Sequence, residues 1–212
     1  MSNLIELEGP KKLSRDKTEY LVFFLHGWGA DGNDLIQLSN HWNLELPNVT
    51  FLAPNAPDIC TGNPEGRQWF EIMTDDREKI YNGLERAYEL LNQYIERSLY
   101  NHKVKNNNFF LVGFSQGTML ALHLALRQKC LGVVGYSGAL IEGPDTQSFV
   151  KNNILLLHGE EDNIVPISRM YKAYDKLKSL KVNVQKHISK NLQHSINEEG
   201  LRKGFEFIKN NL

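Results

Sequence analysis

The segment FFLVGFSQGTMLALHLAL, residues 109–126, combines a strand, a tight turn and the start of a helix. Its first four residues form an apolar run of the length of a buried strand, and apolar residues recur at helical spacing from Thr118 onward. The residues between, Gly113-Phe114-Ser115-Gln116-Gly117, fit the pattern G-x-S-x-G. Such a turn strains the backbone of the central serine, and small residues on either side give it room. The segment therefore predicts a serine hydroxyl lifted clear of the edge of a sheet.

Short apolar segments alternate with helical patterns along the whole chain. The strand-like segments end at Gly, Pro or Asn and cover residues 20–25, 49–52, 109–112, 131–136, 154–157 and 182–188. Apolar residues recur at helical spacing over 84–95, 119–126, 170–177 and 201–212. Because the strands are apolar on both faces, this order predicts an α/β fold with a mostly parallel central sheet and helices on both faces. Ligands bind beyond the carboxyl ends of the strands in such sheets, so the following loops are the expected functional positions.

The bulk composition is that of an ordinary globular protein. The chain has 212 residues, 41% of them hydrophobic and 23% charged, and neither a repeat nor a linker interrupts it, so we expect one domain over residues 1–212. Lysine and arginine total 24 against 25 aspartate and glutamate residues. This balance gives no overall field to attract nucleic acid or anionic lipid, and we expect no nucleic-acid partner.

The sequence offers no segment for stable membrane insertion and no metal-ligand spacing. Residues 1–12 are acidic and polar where a secretory signal needs a basic start and an apolar stretch. The longest apolar runs, 21–25 and 154–157, are too short to span a bilayer, so we expect a cytoplasmic protein. Cys60 and Cys130 lie 70 positions apart without a second cysteine or paired histidine nearby, which predicts two reduced thiols and no metal site.

A glycine-rich loop, His26-Gly27-Trp28-Gly29-Ala30-Asp31-Gly32, follows the first strong strand. Its spacing matches neither G-x-G-x-x-G nor a phosphate loop that ends in Gly-Lys-Ser, so nucleotide binding is not predicted. Glycines let the backbone approach a substrate closely and aim amide groups inward. We predict that the backbone N–H groups of Trp28 and Gln116 form an oxyanion hole beside Ser115, and that His26 braces the loop.

An acid and a base are expected after Ser115, in the order Ser, Asp or Glu, His. Three carboxylates compete in residues 158–166, HGEEDNIVP, and spacing alone does not rank them. We favour Asp162 because Gly159 permits a turn that returns a residue three positions later toward the site, with Glu160 and Glu161 as a solvated rim. His194 is favoured over His187, since His187 lies within a strand pattern and His194 in the loop before the last helix.

These segments together resemble the phospholipase/carboxylesterase family, which contains acyl-protein thioesterases and small bacterial carboxylesterases. The resemblance extends over nearly the whole chain and rests on several matches in the correct order: residues 25–27, 54–57, 68–70, 113–117, 136–138, 158–159 with Asp162 and 165–166, and 194–196. It implies the α/β-hydrolase fold with no large lid, the triad Ser115, Asp162 and His194, and the oxyanion amides of Trp28 and Gln116. Two departures are Thr118 and Gln193, where the family usually has glycine.

The segment 58–76 is rich in Gly, Pro and aromatic residues and has no clear periodicity. We interpret it as the wall of an acyl pocket, with Trp28 on the opposite edge and four side chains covering an apolar slot: Trp69, Phe70, Ile72 and Met73. The alternative is that the aromatic residues pack the core. No inserted lid fits between the strands, which favours short- to medium-chain acyl groups.

The family resemblance implies carboxylesterase activity on small acyl esters, with lysophospholipids or S-acylated proteins as further substrates. No cofactor or metal is expected, because the chain itself supplies nucleophile, base and electrophilic donors. An apolar rim around a shallow site is compatible with a weak homodimer. Two alternatives stay open: an acyltransferase or peptidase that uses the same triad, and a non-catalytic binding module that retains the fold.

Overall fold

The structure, a computed structural model, describes residues 6–143 and 149–212, so the first five residues of the acidic N-terminal stretch lie outside it. Within this part of the chain, the strands in sequence order are β1 (Lys11–Lys12), β2 (Tyr20–Leu25), β3 (Val49–Leu52), β4 (Asp58–Cys60), β5 (Asn63–Gln68), β6 (Phe109–Phe114), β7 (Gly132–Tyr136), β8 (Asn153–Gly159) and β9 (Asn183–Ser189). The helices are α1 (Gly32–Ile36), α2 (Ser39–Glu45), α3 (Arg77–His102), α4 (Gln116–Ala125), α5 (Ile167–Ser179) and α6 (Glu198–Lys209). None of these helices is long and apolar enough to cross a lipid bilayer.

Seven strands form one sheet in the order β1-β3-β2-β6-β7-β8-β9. All neighbours pair in parallel except β1, which runs antiparallel to β3 at one edge. The predicted mostly parallel sheet is confirmed, and the six predicted strands are all present. The carboxyl ends of β2, β6, β8 and β9 meet at one edge of the sheet, so the loops that carry the predicted site residues share that edge.

The core lies on both faces of the sheet, because successive side chains of a strand point to opposite faces. In β2, Leu21, Phe23 and Leu25 pack into a cluster with α3, α4 and α5, whereas Val22 and Phe24 pack into a second cluster with α1, α2 and α6. This arrangement explains why the central strands β2 and β6 are apolar at successive rather than alternate positions.

The hairpin of β4 and β5 lies in the segment 58–76, for which the sequence predicted no regular structure. Its residues 63–68, NPEGRQ, contain proline and glycine and lack the apolar alternation that marks a half-buried strand. The hairpin instead leans on the glycine-rich loop: a Cβ atom built on Gly66 would lie 2.1 Å from the carbonyl oxygen of Gly29. Glycine at position 66 allows this close contact between the two backbones.

Candidate active site

Ser115 occupies a strained turn between β6 and α4. Its backbone has φ 53° and ψ −114°, a region that residues other than glycine rarely adopt. The turn leaves no room beside the serine, since a Cβ on Gly113 would lie 2.5 Å from the Thr118 nitrogen and one on Gly117 would lie 1.9 Å from the Leu25 oxygen. The amide of Ser115 donates a hydrogen bond to the Tyr136 carbonyl at 2.9 Å, which ties the turn to β7. Strained backbone of this kind clusters at active sites.

Asp162 and His194 are joined by a hydrogen bond of 2.8 Å between Oδ2 and Nδ1. The other carboxylate oxygen of Asp162 accepts from the amides of Ile164 at 3.0 Å and Val165 at 2.8 Å. Burial by itself would raise the pKa of Asp162, but the hydrogen bonds from His194 and from the two amides outweigh it, so its pKa lies below the ordinary value. Asp162 is therefore an anion that holds the Nδ1–H tautomer of His194 and leaves Nε2 free to accept a proton.

The loops that carry Asp162 and His194 are joined through their backbones. The amide of Glu160 donates to the Ser189 carbonyl and that of Glu161 to the Leu192 carbonyl, each at 2.9 Å. A Cβ on Gly159 would lie 2.2 Å from the Leu192 oxygen, so glycine is required where the two loops meet. The side chains of Glu160 and Glu161 are exposed, in keeping with a solvated rim.

His158 also lies beside the acid, a position that was not predicted from the sequence. Its ring is buried, with Nε2 2.7 Å from the Val165 carbonyl oxygen and 3.3 Å from Oδ2 of Asp162. Burial is the main cause that lowers the pKa of His158, so the ring is neutral and Nε2 carries its proton toward these oxygens. The sequence signal for this contact was the position of His158, which directly follows the predicted strand 154–157 and precedes Asp162 by four residues.

The loop with Trp28 lies against Ser115. A Cβ built on Gly27 would be 3.4 Å from Cβ of Ser115. Gln116 is the first residue of α4, so its amide has no acceptor within the helix. Across residues 6–143 and 149–212, the backbone amides of Trp28 and Gln116 find no hydrogen-bond acceptor. Two unpaired N–H groups flanking a strained serine fit the oxyanion hole predicted from the sequence.

His26 has the bracing contacts that the sequence predicted. Its ring is fully buried, Nε2 accepts from the Ala56 amide at 3.0 Å, and Nδ1 lies 2.8 Å from the Gly27 carbonyl oxygen. Burial is the largest influence on the pKa of His26 and lowers it. A neutral His26 thus joins the glycine-rich loop to the segment that follows β3.

The four side chains predicted to wall an acyl pocket occupy different environments. Trp69 and Phe70 are 0% and 1% exposed and belong to the main core cluster, which corrects their assignment as the wall of an open slot and supports the core-packing alternative. Ile72 is half-buried against the same cluster, and Met73 is 72% exposed. Trp28 is half-buried, with its ring against Gly62 of the β4–β5 hairpin. Among the predicted pocket residues, only Trp28, Ile72 and Met73 therefore have surface for a substrate.

Cavity size does not identify the site. A cleft of about 660 Å³ between α3 and the N-terminal segment, and another of about 590 Å³ around the end of α3, contain none of Ser115, Asp162 and His194. In the described part of the chain, no group of three or more His, Cys, Asp or Glu residues is placed to hold a metal ion. Cys60 and Cys130 are both unpaired and buried.

The strained serine at the end of a central parallel strand and the paired acid and histidine at the same sheet edge define an α/β-hydrolase. The chain belongs to the phospholipase/carboxylesterase family, whose model matches residues 12–212. It is accordingly a hydrolase of the carboxylesterase type.

Several individual proteins support this membership. The chain is 26% identical over 204 residues to esterase YpfH of Escherichia coli strain K12, covering 92% of this chain and 85% of that protein. It is 31% identical over 157 residues to acyl-protein thioesterase 1 of Schizosaccharomyces pombe, covering 68% and 69% of the two chains. The crystal structure of esterase PE8 superimposes with a TM-score of 0.92 at 33% identity, covering 98% of this chain and all of that one. The Bacillus cereus carboxylesterase, at 18% identity and a TM-score of 0.83, shares the fold over the whole chain.

Proposed function

We propose that the enzyme hydrolyses carboxylic esters and thioesters through a triad of Ser115, His194 and Asp162. The observation that carries the proposal is the 2.8 Å hydrogen bond between Asp162 and His194 at the sheet edge where Ser115 adopts its strained conformation. This arrangement supplies a nucleophile, a base and a group that orients the base, without a cofactor.

The reaction proceeds in two halves. Nε2 of His194 takes the proton of Ser115 as its hydroxyl attacks the acyl carbonyl, and the amides of Trp28 and Gln116 stabilise the oxyanion. His194 then gives the proton to the leaving alcohol or thiol, and an acyl-Ser115 ester remains. Water, activated by the same histidine, releases the acid and restores the serine. Asp162 stabilises the imidazolium that forms in each half.

The proposed substrates carry short- to medium-length acyl chains, contacted by Trp28, Ile72 and Met73. Lysophospholipids and S-acylated proteins are the candidate physiological forms, a proposal that the names of the related esterase and acyl-protein thioesterase support. We also propose a cytoplasmic location, for which the two unpaired, buried thiols are the structural support.

The test compares the native chain with Ser115→Ala on p-nitrophenyl esters from acetate to laurate. We expect one chain length to be preferred, and turnover in the variant to fall about 10⁶-fold, because the triad acts as a unit. Near-native turnover in Ser115→Ala would overturn the assignment. The same assays with a matched anilide and with an added alcohol acceptor separate hydrolysis of esters from peptidase and acyltransferase activity. Absence of turnover on every ester and thioester would support the binding-module alternative.

A further inference from the structure

The two amides of the proposed oxyanion hole are each tied to the same three-residue segment, Gln68-Trp69-Phe70. On one side, the amide oxygen Oε1 of Gln68 accepts a hydrogen bond of 3.0 Å from the indole N–H of Trp28. Gln68 is 6% exposed, and no other side-chain acceptor for the Trp28 indole is found in the described residues. The Gln68 amide therefore fixes the N–H edge of the Trp28 ring, while Gly62 packs against its far edge.

On the other side, the side chain of Gln116 holds the same segment. Its Oε1 accepts from the Trp69 amide at 2.9 Å, and its Nε2 donates to the Phe70 carbonyl at 2.7 Å. Gln116 is completely buried, so these two hydrogen bonds are not exchanged with water. The indole of Trp69 also donates to the His26 carbonyl at 2.9 Å, which anchors the start of the glycine-rich loop.

Backbone contacts continue this connection along β5. The amide of Gly29 donates to the Arg67 carbonyl at 2.9 Å, and the amide of Arg67 donates to the Ala30 carbonyl at 2.8 Å. The side chain of Asn63 donates to the Gly29 carbonyl at 2.9 Å. The peptide units on the C-terminal side of Trp28 are thus held by the hairpin backbone, whereas the hydrogen bond of its indole N–H goes to Gln68.

We propose that Gln68 is a positioning residue of the oxyanion hole: its side chain holds Trp28 to the segment that the Gln116 side chain also binds, and so helps to set the distance between the Trp28 and Gln116 amides. The inference rests on the proposed function of those amides. Donors must lie about 2.7–3.1 Å from the oxyanion, and loss of one donor costs about 10²–10³-fold in kcat. A donor that is misplaced rather than lost has a smaller effect, and we expect about 10-fold.

A double-mutant cycle tests the proposal. Gln68→Leu removes the acceptor, and Trp28→Phe removes the indole N–H while keeping an aromatic side chain and the backbone amide. Each single variant should lower kcat about 10-fold, with little change in KM for Gln68→Leu, whereas Trp28→Phe also changes KM because its ring contacts the acyl chain. Both should weaken inhibition by a trifluoromethyl ketone, because this inhibitor places an oxyanion in the same hole. The double variant should lose no more kcat than Gln68→Leu, because both substitutions remove the same hydrogen bond, and Gln68→Leu alone also removes the two longer ones, at 3.4 Å, from the amide and the hydroxyl of Thr61.

Arg86→Met is the matched control. Arg86 pairs with Asp58 at 2.7 Å, and Asp58 lies opposite Gln68 in the hairpin, so this variant removes the ion pair between α3 and the hairpin but keeps the hairpin's hydrogen bonds to Trp28, Gly29 and Ala30. Its kcat should equal that of the native chain even where its melting temperature falls.

Unchanged kcat in a folded Gln68→Leu chain, a loss confined to KM, or additive effects in the double variant would overturn the role of Gln68. If Gln68→Leu does not fold, Trp28→Phe decides alone, because it deletes the same hydrogen bond from the other partner. Ser115→Ala separates the positioning role of Gln68 from the proposed function of the triad. Loss of activity in Ser115→Ala with native kcat in Gln68→Leu refutes only the positioning role, whereas activity in Ser115→Ala refutes the proposed function.

Discussion

Nε2 of His158 lies 3.3 Å from Oδ2 of Asp162, the same oxygen that binds His194. One carboxylate oxygen therefore faces two imidazole rings. His158 also contacts the Val165 carbonyl at 2.7 Å, and its Nδ1 finds no partner in the described residues. A second proton on His158 would leave a buried N–H unpaired, so the ring acts as a neutral donor that fixes the position of the carboxylate.

Replacing His158 with leucine should destabilise the fold, because the Val165 carbonyl loses its buried donor. We expect the free energy of unfolding to fall by about 1–3 kcal/mol, measured by urea denaturation. His187→Leu is the control, since His187 lies on the edge strand β9 away from Asp162. Equal stability of the two variants would show that the contact of His158 with Val165 and Asp162 contributes nothing specific.

Asp162→Asn should lower kcat by about 10⁴-fold with little change in KM, because an amide presents the wrong partner to Nδ1 of His194 and does not stabilise the imidazolium. Steady-state kinetics on the preferred ester give both constants. Glu161→Gln is the matched control, as the exposed Glu161 is one of the carboxylates that competed for this role in the sequence. A large loss of kcat in Glu161→Gln instead would reverse the assignment of the acid.

The central parallel strands β2 and β6 were predictable because each contains a continuous apolar run, and burial on both faces of the sheet requires such a run. The edge strand β9, NVQKHIS, has only an apolar–polar alternation at its start. The β4–β5 hairpin was not predictable, because its second strand, NPEGRQ, has no local strand pattern. The hairpin is stabilised by contacts with Gly29 and Ala30, which lie more than thirty positions away in the sequence.

In the candidate site, too, some residues were predictable from the sequence and others were not. Ser115, Asp162 and His194 stand at positions that strand order and loop placement define. The environments of Trp69, Phe70 and Met73 were not readable from the sequence, since an aromatic cluster does not reveal which way the chain turns. The structure shows that the Gln116 side chain holds the backbone of Trp69 and Phe70 in the interior.

Thr118, which stands where the family usually has glycine, should control the size of residue tolerated at position 135. A Cβ on Gly135 would lie 2.6 Å from the Thr118 methyl carbon but 3.6 Å from its hydroxyl oxygen. Gly135→Ala should therefore destabilise the protein by about 1–3 kcal/mol through overpacking. Adding Thr118→Ser should restore most of this stability, because serine lacks the methyl group and keeps the hydroxyl that donates to the Tyr136 carbonyl at 2.8 Å.

Thermal or urea unfolding of the four chains in this cycle gives the coupling energy between positions 118 and 135. Additive effects of Gly135→Ala and Thr118→Ser would contradict the proposed clash.

His123 should make the protein less stable in acid. It is buried between α3 and α4, facing Tyr81, Glu85, Tyr88 and Arg127. Burial, assisted by the charge of Arg127, lowers the pKa of His123 to about 4, although Glu85 opposes the shift. Between this value and the ordinary pKa of 6.5, the unfolded chain binds a proton that the folded chain does not, so stability falls as the pH drops below about 6.5.

From pH 7 to pH 5, this linkage amounts to on the order of 2 kcal/mol for His123. In His123→Gln, which cannot titrate, the loss of stability over the same interval should be smaller by that amount, measured by urea unfolding at each pH. His26, His102, His158 and His187 also have lowered pKa values and remain in the variant, so acid should still destabilise it, but less steeply. An identical pH dependence in both chains would mean that folding does not lower the pKa of His123, because its contact with Glu85 then offsets the burial of the ring.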